Sequence, residues 1–335
     1  MKYLILHDNK PNFFDMERDI SIDWLKMFAI LLITNSHFAP LYVKGEALAT
    51  GGAFGVALFF FCSGFTLFLK PMGEARNFFN WYKRRILRIY PSVFAFAVVA
   101  GFLFDKTWRI DLHRYDGGWF IDCIMVYYIL IFFIGVFFQK RLGWMLVLNL
   151  LVLAAFFLYQ YKDPDFFMYK DPFQRLVFFT CMLLGAMMGQ STTKPKARPL
   201  LDISMLVLCT VCYYGLLVVS TKYGNLLLIQ YLSVFPLLGV LYYFYKIFSA
   251  EWAKRVYRSS VANVVIRVIG GLCLEIYLVQ FKVITVKLNH LFPLNLLLVF
   301  IAILGVAYLT RCLARFLLQT FNEAPYNWKK IVSIY

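Results

Sequence analysis

Long apolar stretches recur along this 335-residue chain and are separated by short polar segments. A helix needs about 20 apolar residues to cross the hydrocarbon core of a bilayer. The third stretch is short, and the last is long enough to tilt or to extend into the cytosol. The pattern predicts an all-α polytopic membrane protein with about ten transmembrane helices, at 22–39, 53–69, 91–104, 119–138, 142–161, 175–190, 200–219, 226–245, 263–285 and 294–319.

The continuity of the apolar runs excludes other classes of protein. A strand of a membrane barrel alternates polar and apolar residues, whereas 29–34 and 54–61 are almost uniformly apolar. Hydrophobic residues make up 61% of the chain and charged residues 16%, against about 45–50% and about 25% in soluble domains. We therefore expect a cytoplasmic segment at 1–21, a transmembrane domain at 22–320 and a cytoplasmic tail at 321–335.

The net charge of +16 raises the question of nucleic acid as a partner. The N-terminal segment and every second loop after it lie on the same side of the predicted membrane. That side carries most of the Lys and Arg residues. Cytoplasmic loops of membrane proteins carry this excess. Both termini are therefore expected in the cytoplasm, and no nucleic acid is expected as a partner. No metal site is expected either, since no Cys, His and carboxylate side chains cluster in the sequence.

Ionisable residues inside a span are costly and are functional candidates by default. The first predicted span holds Lys26 and His37, which are eleven residues apart and so share one helix face about 16 Å apart. An imidazole titrates near neutral pH and can act as a general base. A histidine that only packs between helices, beside a lysine reaching for the interface, explains the span equally well.

A dense basic cluster follows the second span. The second span itself is rich in small residues around Ser63 and Gly64, which fits close helix packing as well as an irregular backbone. The cluster is either an orientation signal that attracts anionic lipid or a clamp for a phosphate-rich ligand. It comprises Lys83, Arg84, Arg85 and Arg88.

Two later positions are less decisive. Glu275 lies within a predicted span and needs a partner, and Arg267 and Lys282 lie near two turns away, within reach only through another helix. Trp119 suits an interfacial aromatic belt as well as a platform for a sugar. For both positions, structural and functional interpretations stay open.

These segments, in order and spacing, resemble the acyltransferase-3 family of integral membrane O-acyltransferases. The matching residues are spread thinly over most of the chain, and the resemblance rests on five motifs taken together. They are Asp23, Lys26 and His37; Gly55, Phe59, Phe60, Ser63, Gly64 and Phe65; Arg84, Arg85, Arg88, Ile89 and Pro91; Gly118, Trp119, Phe120 and Tyr128; and 273–280, with Glu275 and Tyr277.

The resemblance implies transfer of an acyl group, usually acetyl, from cytoplasmic acyl-CoA. The acceptor would be a hydroxyl of a cell-surface glycan or its lipid-linked precursor, in a bacterial inner membrane. His37 would be the general base, assisted by Lys26, and the basic cluster would bind the donor. Acyl-CoA would be a co-substrate, with no permanently bound cofactor. Further pocket candidates are Asp23, Ser63, Gly64, Trp119, Glu275 and Tyr277.

Two positions depart from the family pattern. Lys26 stands where relatives more often have arginine, so a two-pronged contact to phosphate or carboxylate is lost there. Gln280 stands where relatives often have histidine, so a second proton-transfer group is missing. A covalent acyl intermediate on Ser63 stays open.

Two other functions remain as alternatives. A transporter or flippase of a glycan-related substrate would use the same polar stripe, and broken helices at mid-membrane would favour it. A structural protein of a glycan-export system would tolerate loss of His37.

Overall fold

The structure is a computed structural model that describes residues 19–70, 77–105, 110, 117–160, 169–223, 228–321 and 325–333. Most of the predicted segment 1–21 and part of the tail 321–335 lie outside these residues. Within these residues the chain forms α-helices and short 3₁₀ helices, and no strand. The α-helices are α1 (Ile20–His37), α2 (Gly52–Leu67), α3 (Phe78–Phe104), α4 (Gly118–Phe137), α5 (Leu142–Gln160), α6 (Phe173–Gln190), α7 (Pro199–Lys222), α8 (Ile229–Leu232), α9 (Val234–Phe248), α10 (Glu251–Tyr257), α11 (Ser260–Gly271), α12 (Cys273–Val283), α13 (Leu294–Thr320) and α14 (Trp328–Val332).

Helices overlie each of the ten apolar stretches, but three differ from the expected form. The third is not short, because α3 begins at Phe78 and carries the basic cluster on the same continuous helix. The stretch at 226–245 is divided between α8 and α9. The stretch at 263–285 is divided between α11 and α12, which meet at an angle of 71°.

Fewer described helices have the length and hydropathy of a membrane span than the ten that the apolar pattern predicts. Among the described residues seven helices are long and apolar enough to cross a membrane, or eight if α11 and α12 count as one broken span. Neither α1 nor α6 is among them. The charged residues Asp23 and Lys26 make α1 less apolar, and Arg175 does the same in α6. The expectation of ten spans and of two cytoplasmic termini is not confirmed.

Close backbone contact between α2 and α6 anchors the helix bundle. Gly64 of α2 and Gly185 and Gly189 of α6 face the opposite helix, and a Cβ at any of the three would overlap a backbone carbonyl oxygen there. Small residues permit such contact where a larger side chain would hold the helices apart. We call these three residues the glycine seam. Packing against α6 therefore explains Gly64 of the second span.

Replacing Gly64 with alanine should therefore destabilise the protein. The added Cβ would overlap the carbonyl oxygen of Met182, so α2 and α6 must separate, at a cost of about 1–3 kcal/mol. Thermal unfolding of the purified protein in detergent measures this cost. Gly305→Ala is the matched control, since its Cβ meets nothing within 4 Å. Equal melting temperatures for the two variants would contradict the packing role of the seam.

Candidate functional site

A cavity of about 490 Å³ opens between α1, α2, α3, α4, α11, α12 and α13. Its described lining is strongly basic, and Glu275 is the one carboxylate in that lining. We call it the cationic cavity. The six lining cations come from four helices that lie far apart in sequence: Lys26, Arg85, Arg88, Arg267, Arg311 and Arg315.

Glu275 forms a buried ion pair with Arg311. Its side chain is 2% exposed and accepts from Arg311 Nε at 3.0 Å and from Arg311 NH2 at 2.6 Å. The Ser92 hydroxyl donates to the same carboxylate at 2.7 Å. Arg311 also donates to the carbonyl oxygen of Gly271, at the break between α11 and α12. The partner that Glu275 needs is therefore Arg311, which lies on another helix.

The cavity keeps an excess of positive charge, because this ion pair uses one cation and the only carboxylate of the described lining. Arg85 is half-buried, and its guanidinium carbon lies 4.9 Å from the ring centre of Trp81 and 5.9 Å from that of Tyr128. Its buried Nε has no hydrogen-bond partner among the described residues. Arg88 lies one turn further along α3 and is exposed. Both arginines are placed to bind an anion.

Several other predicted residues lie around the cavity in different ways. Ser63 lines it, with its Oγ 3.3 Å from the Tyr128 hydroxyl. Asp23 is buried outside the lining, where it accepts a hydrogen bond from the Tyr257 hydroxyl at 2.8 Å. Gly64 belongs to the glycine seam, whereas Lys83 and Arg84 are exposed on α3 and do not line the cavity.

His37 lies away from the cationic cavity. It is the last residue of α1 and is half-buried, about 16 Å along the helix from Lys26. Its ring centre lies 4.3 Å from that of Phe281 on α12. The predicted base and the basic cavity are thus at different depths of the bundle.

A row of aromatic rings connects these two depths. Phe281 lies 6.4 Å from Tyr277, and Tyr277 lies 5.0 Å from Phe120, which lines the cavity. We call Phe120, Tyr277 and Phe281 the aromatic row. Trp119 flanks it, with its ring 6.2 Å from Phe120. Together with the contact between Phe281 and His37, these ring contacts lead from the cavity to His37.

Gln280, which is next to Phe281 in the sequence, has a buried polar side chain. Its side chain is fully buried, and neither its amide nitrogen nor its amide oxygen has a hydrogen-bond partner among the described residues. An unpaired buried amide costs about 1–3 kcal/mol. Gln280 therefore offers both a donor and an acceptor that no described residue satisfies.

The sequence pattern missed the contribution of α13. Arg311 and Arg315 are four residues apart on one helix face and both line the cavity. That spacing is visible in the sequence, but it also fits basic residues at the cytoplasmic end of the last predicted span. Ser92 carries no signal of its own in the sequence, since single hydroxyl groups are common in membrane helices.

Comparison with known proteins agrees with the motif pattern. The model of the acyltransferase-3 family, described as an acyltransferase domain, matches residues 19–312. No curated protein and no solved structure matches the chain. The family match spans every helix from α1 to α12 and most of α13, including His37 and all of the cavity lining up to Arg311. The chain belongs to the acyltransferase-3 family of membrane acyltransferases.

Proposed function

We propose that the protein transfers an acetyl group from cytoplasmic acetyl-CoA to a hydroxyl group of a cell-surface glycan or its lipid-linked precursor. The observation that carries the proposal is the cationic cavity in a chain of an acyltransferase family. The proposed location is a bacterial inner membrane, where donor and acceptor are on opposite sides. Membrane lipids surround the helices, and neither nucleic acid nor a resident cofactor takes part.

The donor would be held through its phosphate groups. Arg85 and Arg88 present guanidinium groups from one helix, and arginine binds phosphate through paired hydrogen bonds. Lys26 adds a positive charge from the opposite wall of the cavity. The acyl-bearing arm would extend along the aromatic row towards His37, which brings the thioester to the base.

His37 would act as the general base. It accepts the proton of the acceptor hydroxyl, whose oxygen attacks the thioester carbonyl carbon. The carbon–sulfur bond then breaks, the new ester forms, and the thiolate of CoA takes the proton back from the imidazolium. Gln280 would orient the acceptor, because its two unpaired amide atoms can donate to one hydroxyl oxygen and accept from another.

Binding of acetyl-CoA by the purified protein tests the donor site. Replacing both Arg85 and Arg88 with alanine should raise the Kd for acetyl-CoA by about 100-fold, since each charge-assisted hydrogen bond contributes about 1.5 kcal/mol or more. Isothermal titration calorimetry in detergent measures the change. Lys83→Ala/Arg84→Ala should have a smaller effect, because these side chains do not line the cavity.

The matched control is Lys140→Ala/Arg141→Ala, which removes two exposed charges outside the cavity. Its Kd should equal that of the wild type. If the Arg85/Arg88 variant and this control lose the same affinity for acetyl-CoA, the loss reflects the overall charge of the protein and not a donor site. A well-folded wild type that binds neither acetyl-CoA nor longer acyl-CoA would contradict the donor itself.

The broken span favours a second candidate function, a transporter or flippase. The 71° angle between α11 and α12 is the kind of interruption that forms substrate sites in transporters. Release of free CoA from acetyl-CoA separates the two functions, since a transporter leaves the thioester intact. Thiol release that depends on an added saccharide acceptor supports the transferase, and substrate movement without thiol release supports the transporter.

A further inference from the structure

A second cavity lies next to the cationic cavity, at the end of α13. Its volume is about 530 Å³, and it shares Arg315 and Leu318 with the cationic cavity. Lys329 and Lys330 of α14 complete its basic lining, and no carboxylate occurs among its described lining residues. Arg315 and Leu318 line both cavities, so the two lie side by side.

The C-terminal segment 325–333 is docked onto α13 rather than extended away from it. Arg315 donates to the carbonyl oxygens of Lys330 and Ser333. The backbone N–H of Asn327 donates to Gln319 Oε1 at 2.7 Å. Tyr308 donates to the carbonyl oxygen of Val332 at 2.7 Å. These bonds hold the segment along the last turns of α13.

Aromatic stacking fixes the same segment from the other side. The rings of Phe316 and Tyr326 are 5.3 Å apart and inclined by 8°, and Trp328 stacks on Tyr326 at 5.8 Å. The adjacent Ile331 is 4% exposed. The two lysines between these anchors remain exposed. The segment is thus rigidly placed while its ammonium groups are free to meet a ligand.

The family match ends at residue 312, before Arg315 and the whole C-terminal segment. The basic lining of the second cavity is therefore a feature of this chain beyond the matched domain. Its chemistry suits phosphate groups, which bind lysine and arginine by charge-assisted hydrogen bonds. A phosphate could come from a nucleotide-bearing donor or from a lipid headgroup.

We propose that the second cavity binds the phosphates at the nucleotide end of acyl-CoA, with Lys329 and Lys330 as its direct contacts. The inference rests on the proposed donor. The shared lining residues favour the donor over a lipid, because one elongated molecule that contacts both cavities would place phosphates at both Arg315 and the lysines. The C-terminal segment then forms one wall of the donor site.

The test is titration of CoA into the full-length protein in detergent free of anionic lipid. Lys329→Gln/Lys330→Gln should raise the Kd for CoA by about 10-fold. Lys329→Arg/Lys330→Arg should keep the wild-type affinity, since it keeps both charges. The matched control, Lys140→Gln/Arg141→Gln, should also keep it. Anionic phospholipid retained by each variant during purification is measured in parallel.

Each outcome decides the assignment. A loss of CoA affinity confined to the glutamine variant of the tail supports the nucleotide subsite. Unchanged CoA affinity in that variant overturns it while leaving the proposed donor intact, and a simultaneous loss of anionic phospholipid would reassign the cavity to a headgroup. No CoA binding by the wild type would overturn the subsite and the proposed donor together.

Discussion

Replacing His37 with alanine should lower acyl transfer by about 10²–10⁴-fold, the range typical for loss of a general base. The Kd for acetyl-CoA should stay unchanged, because His37 does not line the cationic cavity. The change should therefore appear in kcat. Transfer to a saccharide acceptor and binding of acetyl-CoA are measured on the same detergent-purified sample, whose melting temperature verifies that it is folded.

The chain offers a matched control for this prediction. Of its four histidines, 37 and 290 lie among the described residues, and His290 is exposed in the 3₁₀ helix that precedes α13. His290→Ala should retain full transfer. His37→Gln, which keeps a polar side chain but no base, should be as inactive as His37→Ala. Full transfer by either His37 variant would remove the base from the mechanism and would favour a packing role against Phe281.

Replacing Arg311 with leucine should destabilise the protein by about 3–5 kcal/mol. The substitution leaves the carboxylate of Glu275 buried without its cation, and breaking a buried pair from one side costs about this much. The carbonyl oxygen of Gly271 also loses its donor, so the junction of α11 and α12 should loosen. Unfolding in detergent measured by near-ultraviolet circular dichroism reports the loss.

A double substitution distinguishes a lost partner from lost packing. Glu275→Leu/Arg311→Leu should recover most of the stability, since replacing both members of a buried pair by apolar residues is often nearly neutral. Arg175→Leu is the control, because its ion pair with Asp171 is exposed and should cost less than about 1 kcal/mol. A double variant as unstable as Arg311→Leu would show that charge pairing is not the cause.

The positions of the helices could be predicted from the sequence, but their interruptions could not. Apolar runs locate helices because a lipid or protein interior excludes unpaired backbone groups in either case. The same runs do not distinguish a straight helix from two helices that meet at Leu272. Nor do they fix the number of spans, since α1 and α6 overlie predicted spans but are not among the seven helices of the described chain that are long and apolar enough to cross a membrane.

The fold brings only some of the predicted site residues together. Lys26, Ser63, Arg85 and Arg88 meet at one cavity, which the order of motifs along the chain suggested. The partner of Glu275 could not be predicted, since Arg311 lies 36 residues away and only helix packing brings the two together. The distance between His37 and the cavity likewise depends on which residues of α12 fill the space between them.

The glycine seam determines which wall of the cavity is rigid. Where α2 and α6 touch backbone to backbone, no side chain lies between them that could change rotamer to accommodate sliding, so we expect the two helices to move as one body. Another part of the lining contains the junction of α11 and α12, where a hinge needs only a few backbone dihedral angles to change. Alternating access to the two membrane faces would then be a swing of α12 against a stationary α2, which makes gating a property of one wall.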